Sequence, residues 1–123
     1  MINEMDYYRV IVAGGRNFNQ YDLLKNTLDG IFRHIDEPIM IVSGGAAGAD
    51  QLGEKYAREH DLPIDHHPAQ WVKYGAIAGF IRNQEMAECA DALIAFWNGK
   101  SRGTKDMIDK AKKNKLDIDI IYY

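Results

Sequence analysis

The segment Ser43–Asp50 reads S-G-G-A-A-G-A-D and follows directly on the apolar run Ile39–Val42. Three glycines and three alanines leave almost no side chain between a strand end and the start of a helical segment, Ala49–His60. Such a turn lets backbone N–H groups and the positive end of a helix dipole approach an anion closely. The order is neither the G-x-G-x-x-G of dinucleotide folds nor a Walker A loop. Alone it points to anion binding and no further. Within it, Ser43 can donate a hydrogen bond, while Gly44, Gly45, Ala46 and Gly48 keep the backbone bare. Asp50 reads either as a first-turn carboxylate complementing the dipole or as an acceptor for ribose hydroxyls.

Two further turns and one helix have compatible chemistry. Gly14-Gly15-Arg16-Asn17-Phe18 follows the apolar run Arg9–Ala13, and Arg16 can set a bidentate fork on a phosphate or carboxylate. Asn98–Thr104 follows Ala92–Trp97; there Gly103 frees the backbone and Thr104 reads as N-cap of the last helix, with Ser101 beside it. Arg82 and Asn83, with Met86, lie early in a helical segment. Arg82 either extends over the same crevice or pairs with Glu85 or Glu88 along the helix. Asn83 can read a base edge or a ribose.

Other candidates read as structure. His66 and His67 are adjacent on a strand and so point to opposite faces. No Cys/His/carboxylate set stands at metal spacing near them, and no metal site is expected. Cys89 reads as helix–sheet packing with no paired histidine. Trp71 and Tyr74 can stack on a base, and Trp97 can border the pocket; all three equally suit ordinary packing. No Gly-x-Ser-x-Gly elbow or catalytic triad is visible.

These residues need a frame that gathers strand ends on one edge. Continuous apolar runs at Arg9–Ala13, Ile39–Ser43 and Ala92–Trp97 suit strands covered on both faces, as in parallel sheets. Ile64–His67 and Leu116–Tyr122 alternate with polar residues and suit sheet edges. Helical spacing marks Tyr21–Arg33, Ala49–His60, Ala78–Ala90 and Thr104–Lys115. The sum is βαβαβαβαβ: a Rossmann-like, doubly wound α/β domain in three layers, α/β/α, spanning residues 1–123. Right-handed crossovers give the strand order 3-2-1-4-5, with a ligand crevice at the switch point between strands one and four. Pro68–Ile77 reads as a long irregular loop, a length that often carries function.

Composition bounds the function. With 123 residues, 46% apolar and 27% charged, the chain suits one globular domain. One cysteine excludes an internal disulfide, Met1–Tyr8 has no signal-peptide h-region, and no apolar run approaches the roughly 20 residues of a membrane span. The expected location is cytoplasmic, with no membrane partner. Net charge is −3, yet Lys100–Lys115 contains seven basic residues against Asp106 and Asp109. That stretch reads as a solvated helix face; overall acidity argues against a dedicated duplex binder. The aromatic ends, Tyr7-Tyr8 and Ile121-Tyr122-Tyr123, are candidates for burial in a homodimer.

In order, G-G-R-N-F, S-G-G-A-A-G-A-D, P-A-Q-W, A-G-F-I-R-N-Q-E-M, A-D-A-L-I-A-F-W and S-R-G-T resemble the YspA-like, cpYpsA-related branch of the SLOG superfamily. That superfamily also contains the lonely-guy phosphoribohydrolases and the DNA-processing protein A. The resemblance implies a Rossmann-like fold that binds nucleotides or nucleotide-derived ligands, often in phage, prophage or defence settings. It implies ligand contacts from Gly15 and Arg16, from Ser43-Gly44-Gly45 through Gly48 and Asp50, from Arg82 and Asn83, and from Ser101, Gly103 and Thr104.

The expected function is binding of such a ligand at the C-terminal edge of the sheet, for sensing, sequestration or processing, without a further cofactor. One alternative is an N-glycosidase or phosphoribohydrolase acting on nucleoside monophosphates. Against it, lonely-guy enzymes have P-G-G-x-G-T-x-x-E where this chain has N-G-K-S-R-G-T-K-D-M, so Met107 stands at the glutamate position. Asp50 or Asp106 would have to substitute, because cleavage through an oxocarbenium-like state needs a carboxylate near the anomeric carbon. Gln70 likewise stands where relatives usually have Asp. The other alternative is a single-stranded nucleic-acid module that uses the Lys100–Lys115 stretch as a phosphate track.

Overall fold

In the computed structural model, which describes residues 6–123, five parallel strands form one sheet in the order β3-β2-β1-β4-β5. Met1–Met5, on which the signal-peptide reading partly rests, lie outside the described residues. The strands are β1 (Tyr8–Gly14), β2 (Ile39–Ser43), β3 (Ile64–His66), β4 (Ala92–Trp97) and β5 (Asp117–Tyr122). Helices α1 (Tyr21–Phe32), α2 (Ala49–Glu59), α4 (Ala78–Cys89) and α5 (Arg102–Lys113) connect them, with a short α3 (Trp71–Tyr74) before α4.

The apolar runs are continuous because both sheet faces are covered. Val10 and Val12 of β1 point to one face, where they join Ile41, Ile94 and Phe96 under Leu24, Leu28 and Tyr56 of α1 and α2. Ile11 and Ala13 point to the other, with Val42, Leu93 and Ala95 under Met86, Met107 and Ile108 of α4 and α5. This is the expected three-layer α/β/α domain with its switch point between β1 and β4.

Two local expectations are corrected. The stretch Pro68–Ile77 is not irregular throughout: Trp71–Tyr74 forms a helical turn and Gly75–Ile77 a 3₁₀ turn. Four-residue helices present no periodicity to read. Thr104 is not the N-cap of the last helix. Ser101 is, and its Oγ accepts from Thr104 N at 3.4 Å, so α5 starts two residues earlier.

The chain ends find partners within the chain. Tyr8 donates its hydroxyl to Asp117 at 2.9 Å. Tyr123 packs edge-on against Phe18 and donates to Asn17 Oδ1 at 2.7 Å, fixing the turn after β1. Tyr122 is exposed.

Candidate functional site

At the C-terminal edge of the sheet, the turns after β1, β2 and β4 and the first turns of α4 enclose a cavity of about 520 Å³, a size suited to a small molecule. Gly14, Gly15, Arg16 and Asn17 line it from β1; Ala46 and Asp50 line it from the turn into α2. Arg82, Asn83 and Met86 come from α4; Asn98, Ser101, Gly103, Thr104 and Met107 come from β4 and α5. The N-terminal ends of α2, α4 and α5 therefore share one cavity, and neither α2 nor α4 has a side-chain cap. Three such ends add partial positive charge at one place.

The turn after β2 is held by close packing. Gly48 has φ +83°, and a Cβ there would lie 2.2 Å from the carbonyl oxygen of Gly15. Ala49 N–H donates to that same oxygen at 3.2 Å. The glycine-bearing turns after β1 and β2 therefore form one interlocked unit. Ser43 does not line the cavity: it is fully buried, donates to Glu54 Oε2 at 2.6 Å and accepts from Gly45 N. Gly44, Gly45 and Gly48 likewise shape the turn without lining the cavity.

Arg82 reaches back across the crevice. Its Nη1 donates to Gly44 O at 2.8 Å and its Nε to Asn83 Oδ1 at 3.0 Å. A Cβ on Gly44 would sit 2.2 Å from that Nη1, so only glycine admits the guanidinium here. Burial pulls the Arg82 pKa down, and the Asp50 carboxylate beside it opposes that pull. Asn83 donates from Nδ2 to Gly103 O at 3.3 Å and to Asp106 Oδ2 at 3.0 Å. Its amide thus ties α4 to α5 and positions Arg82. Arg16 is different: it is exposed at the cavity mouth and, among the described residues, makes no hydrogen bond or ion pair through its guanidinium.

Asp50 is only 5% exposed and accepts from Ala46 N at 3.2 Å. Burial pushes its pKa up to about 6; the Ala46 hydrogen bond and Arg82 act in the opposite sense without overcoming it. The outer wall is aromatic: Trp71 is 50% and Phe80 43% exposed, and both line the cavity. Tyr74 and Trp97 do not line it. Lys73 lies over the Tyr74 ring, and Trp97 donates from Nε1 to Ser101 O at 3.1 Å.

The YspA, cpYpsA-related SLOG family matches the chain over residues 8–74, more than half of its length. The chain belongs to that family. This SLOG chain is also similar to the "Gene 61 protein" of Mycobacterium phage D29, with 31% identity over 116 residues, covering 89% of this chain and 93% of the phage protein. No solved structure matches it.

Against the lonely-guy pattern, the buried Met107 faces the cavity of this SLOG chain. Asp106 does not line it, being held by Asn83 and by Lys110 at 2.8 Å. Among the described residues, Asp50 is the one carboxylate that lines the cavity.

Sequence reasoning missed Phe80, Asn17 and Asn98 among the lining residues. Phe80 stands three residues after Ile77 and two before Arg82, a spacing that places it on the exposed shoulder of α4. Sequence reasoning also missed that Asp65, His67 and Cys89 come together, with Cys89 Sγ 3.8 Å from His67 Nε2. The signal available was the D-x-H alternation, which puts Asp65 and His67 on one face of a strand. Cys89 does pack against the helix–sheet core, as expected.

Proposed function

We propose that this SLOG chain binds a nucleotide or nucleotide-derived small molecule in the cavity at the C-terminal edge of its sheet. The observation that carries the reading is the convergence of three helix N-termini, Arg16 and Arg82 on one cavity with an aromatic outer wall. Partial positive charges and two guanidiniums suit phosphate oxygens. Trp71 and Phe80 suit a base face. Asp50 suits a ribose hydroxyl. Capture without turnover, as in sensing or sequestration, agrees with a methionine at the position where lonely-guy enzymes have glutamate.

The test is mass spectrometry of small molecules released by denaturing freshly purified protein, followed by calorimetric titration of the nucleotide recovered. Arg16→Ala should weaken binding by about tenfold or more without lowering the melting temperature, because among the described residues the exposed Arg16 guanidinium makes no hydrogen bond or ion pair. Failure to recover any nucleotide, together with no binding of nucleoside mono- or diphosphates at millimolar concentration, would overturn the reading.

One observation favours a second reading, N-glycosidic cleavage of nucleoside monophosphates. The Asp50 carboxyl lines the cavity with its pKa pushed up to about 6, within range of acid–base work near neutrality. That reading requires release of free base and ribose 5-phosphate, abolished in Asp50→Asn.

A further inference from the structure

We propose that Asp65, His67 and Cys89 form a second site, separate from the nucleotide cavity, that binds a borderline-soft divalent cation of the Zn²⁺ type. None of the three lines the cavity. Asp65 lies in the edge strand β3 and His67 directly follows its last residue, with its N–H still bonded to Ser43 O at 2.8 Å, so the two side chains share one face; Cys89 is the last residue of α4. His67 Nε2 is 2.8 Å from Asp65 Oδ2 and 3.8 Å from Cys89 Sγ, and the sulfur is 4.0 Å from the same Oδ2. With Zn–S near 2.3 Å and Zn–N and Zn–O near 2.0–2.2 Å, a tetrahedral ion separates its ligand atoms by roughly 3.3–3.7 Å. The present triangle brackets that range. Side-chain rotations of about half an ångström would convert it, with the Nε2–Oδ2 contact opening and the sulfur closing in.

Three further features suit a cation. The other ring nitrogen of His67, Nδ1, faces Glu85 Oε2 at 3.8 Å, so a carboxylate stands where an outer partner orients a metal-bound imidazole. Cys89 sits at the C-terminal, negative end of α4. Asp65 and Cys89 also converge on the same nitrogen. A Cys–His–carboxylate relay needs a carboxylate hydrogen-bonded to the nitrogen opposite the thiol. Glu85, 3.8 Å from Nδ1, is beyond that reach, and Asp65 already holds the nitrogen that the thiol faces, so the arrangement favours coordination over nucleophilic catalysis.

Arg9 is the standing competitor, with Nη1 3.4 Å from Asp65 Oδ2; an ion would take over that oxygen. As the metal–sulfur bond forms, the thiol proton leaves to solvent. Three protein ligands leave a fourth position for water. The site would sit at the root of the Pro68–Ile77 segment, whose Trp71 and Ala76 wall the cavity.

The test uses the full chain stripped with chelator, then titrated with Zn²⁺ by calorimetry and with Co²⁺ by absorption. The expected result is one ion per chain and a thiolate-to-cobalt charge-transfer band that Cys89→Ser removes. Glu85→Gln keeps all three ligands at a half-exposed position (side chain 49% exposed) and should weaken Zn²⁺ by about tenfold or more. Circular dichroism checks that both variants fold. Absence of the sulfur band, or a band that survives Cys89→Ser, would overturn the site. Neither readout depends on nucleotide binding, so failure here leaves the cavity reading standing, and the converse.

Discussion

Asp50 combines the features that make a single residue decisive here: nearly full burial, a place in the cavity wall and a pKa pushed up to about 6 from an ordinary value of 3.8. The folded chain holds this proton more tightly than the unfolded chain. The contribution to stability is therefore complete below about pH 4 and is lost as pH rises through about 6, by up to about 3 kcal/mol. Asp29 acts in the opposite sense. Lys25 and Tyr56 lower its pKa, so it adds stability that is lost only as pH falls below about 4. Asp50→Asn keeps an acceptor for Ala46 N–H and removes the charge. Urea melts should show the variant more stable than the parent at pH 7 by about 1–3 kcal/mol, with the gap closing towards pH 4. A gap constant with pH would mean that Asp50 is ionised throughout.

Elements matter through their ends. The turns after β1 and β2 are interlocked at Gly48, where a positive φ coincides with contact on the Gly15 carbonyl. Gly48→Ala should therefore cost about 2–3 kcal/mol by chemical denaturation and reduce nucleotide affinity together with stability. An unchanged melting curve would mean that the two turns move independently. Gly45, also at positive φ but with only a distant side chain near its added Cβ, is the matched control.

The strand order and both sheet faces were legible because continuous apolar runs and polar alternation carry direct burial information. The turns were legible as small-residue clusters. Which of their members line the cavity was not, because that depends on side-chain pairs distant in sequence. Ser43 turned inward to Glu54, eleven residues on, and Asp106 was held by Asn83, a partner 23 residues away. The Asp65–His67–Cys89 triangle joins β3 to the far end of α4 across more than twenty residues, which no local spacing reports.

Across the molecule, the described helices include none long and apolar enough to cross a membrane, and the cavity opens at the edge where the parallel strands end. The positive segment lies along α5. Within it Lys105 pairs with Asp109 and Lys110 with Asp106, while Lys100, Arg102, Lys112, Lys113 and Lys115 are exposed. With net charge −3 overall and about +5 gathered in that segment, the remainder is near −8. The molecule is thus an electric dipole, and its chromatography should report orientation more than net charge. It should be retained on heparin at low ionic strength despite its acidic balance, through the α5 flank, and should elute within a few tenths molar salt. Saturating the cavity with nucleotide should leave that elution unchanged. Elution that shifts with nucleotide would join the two surfaces and favour a strand running from the cavity along α5.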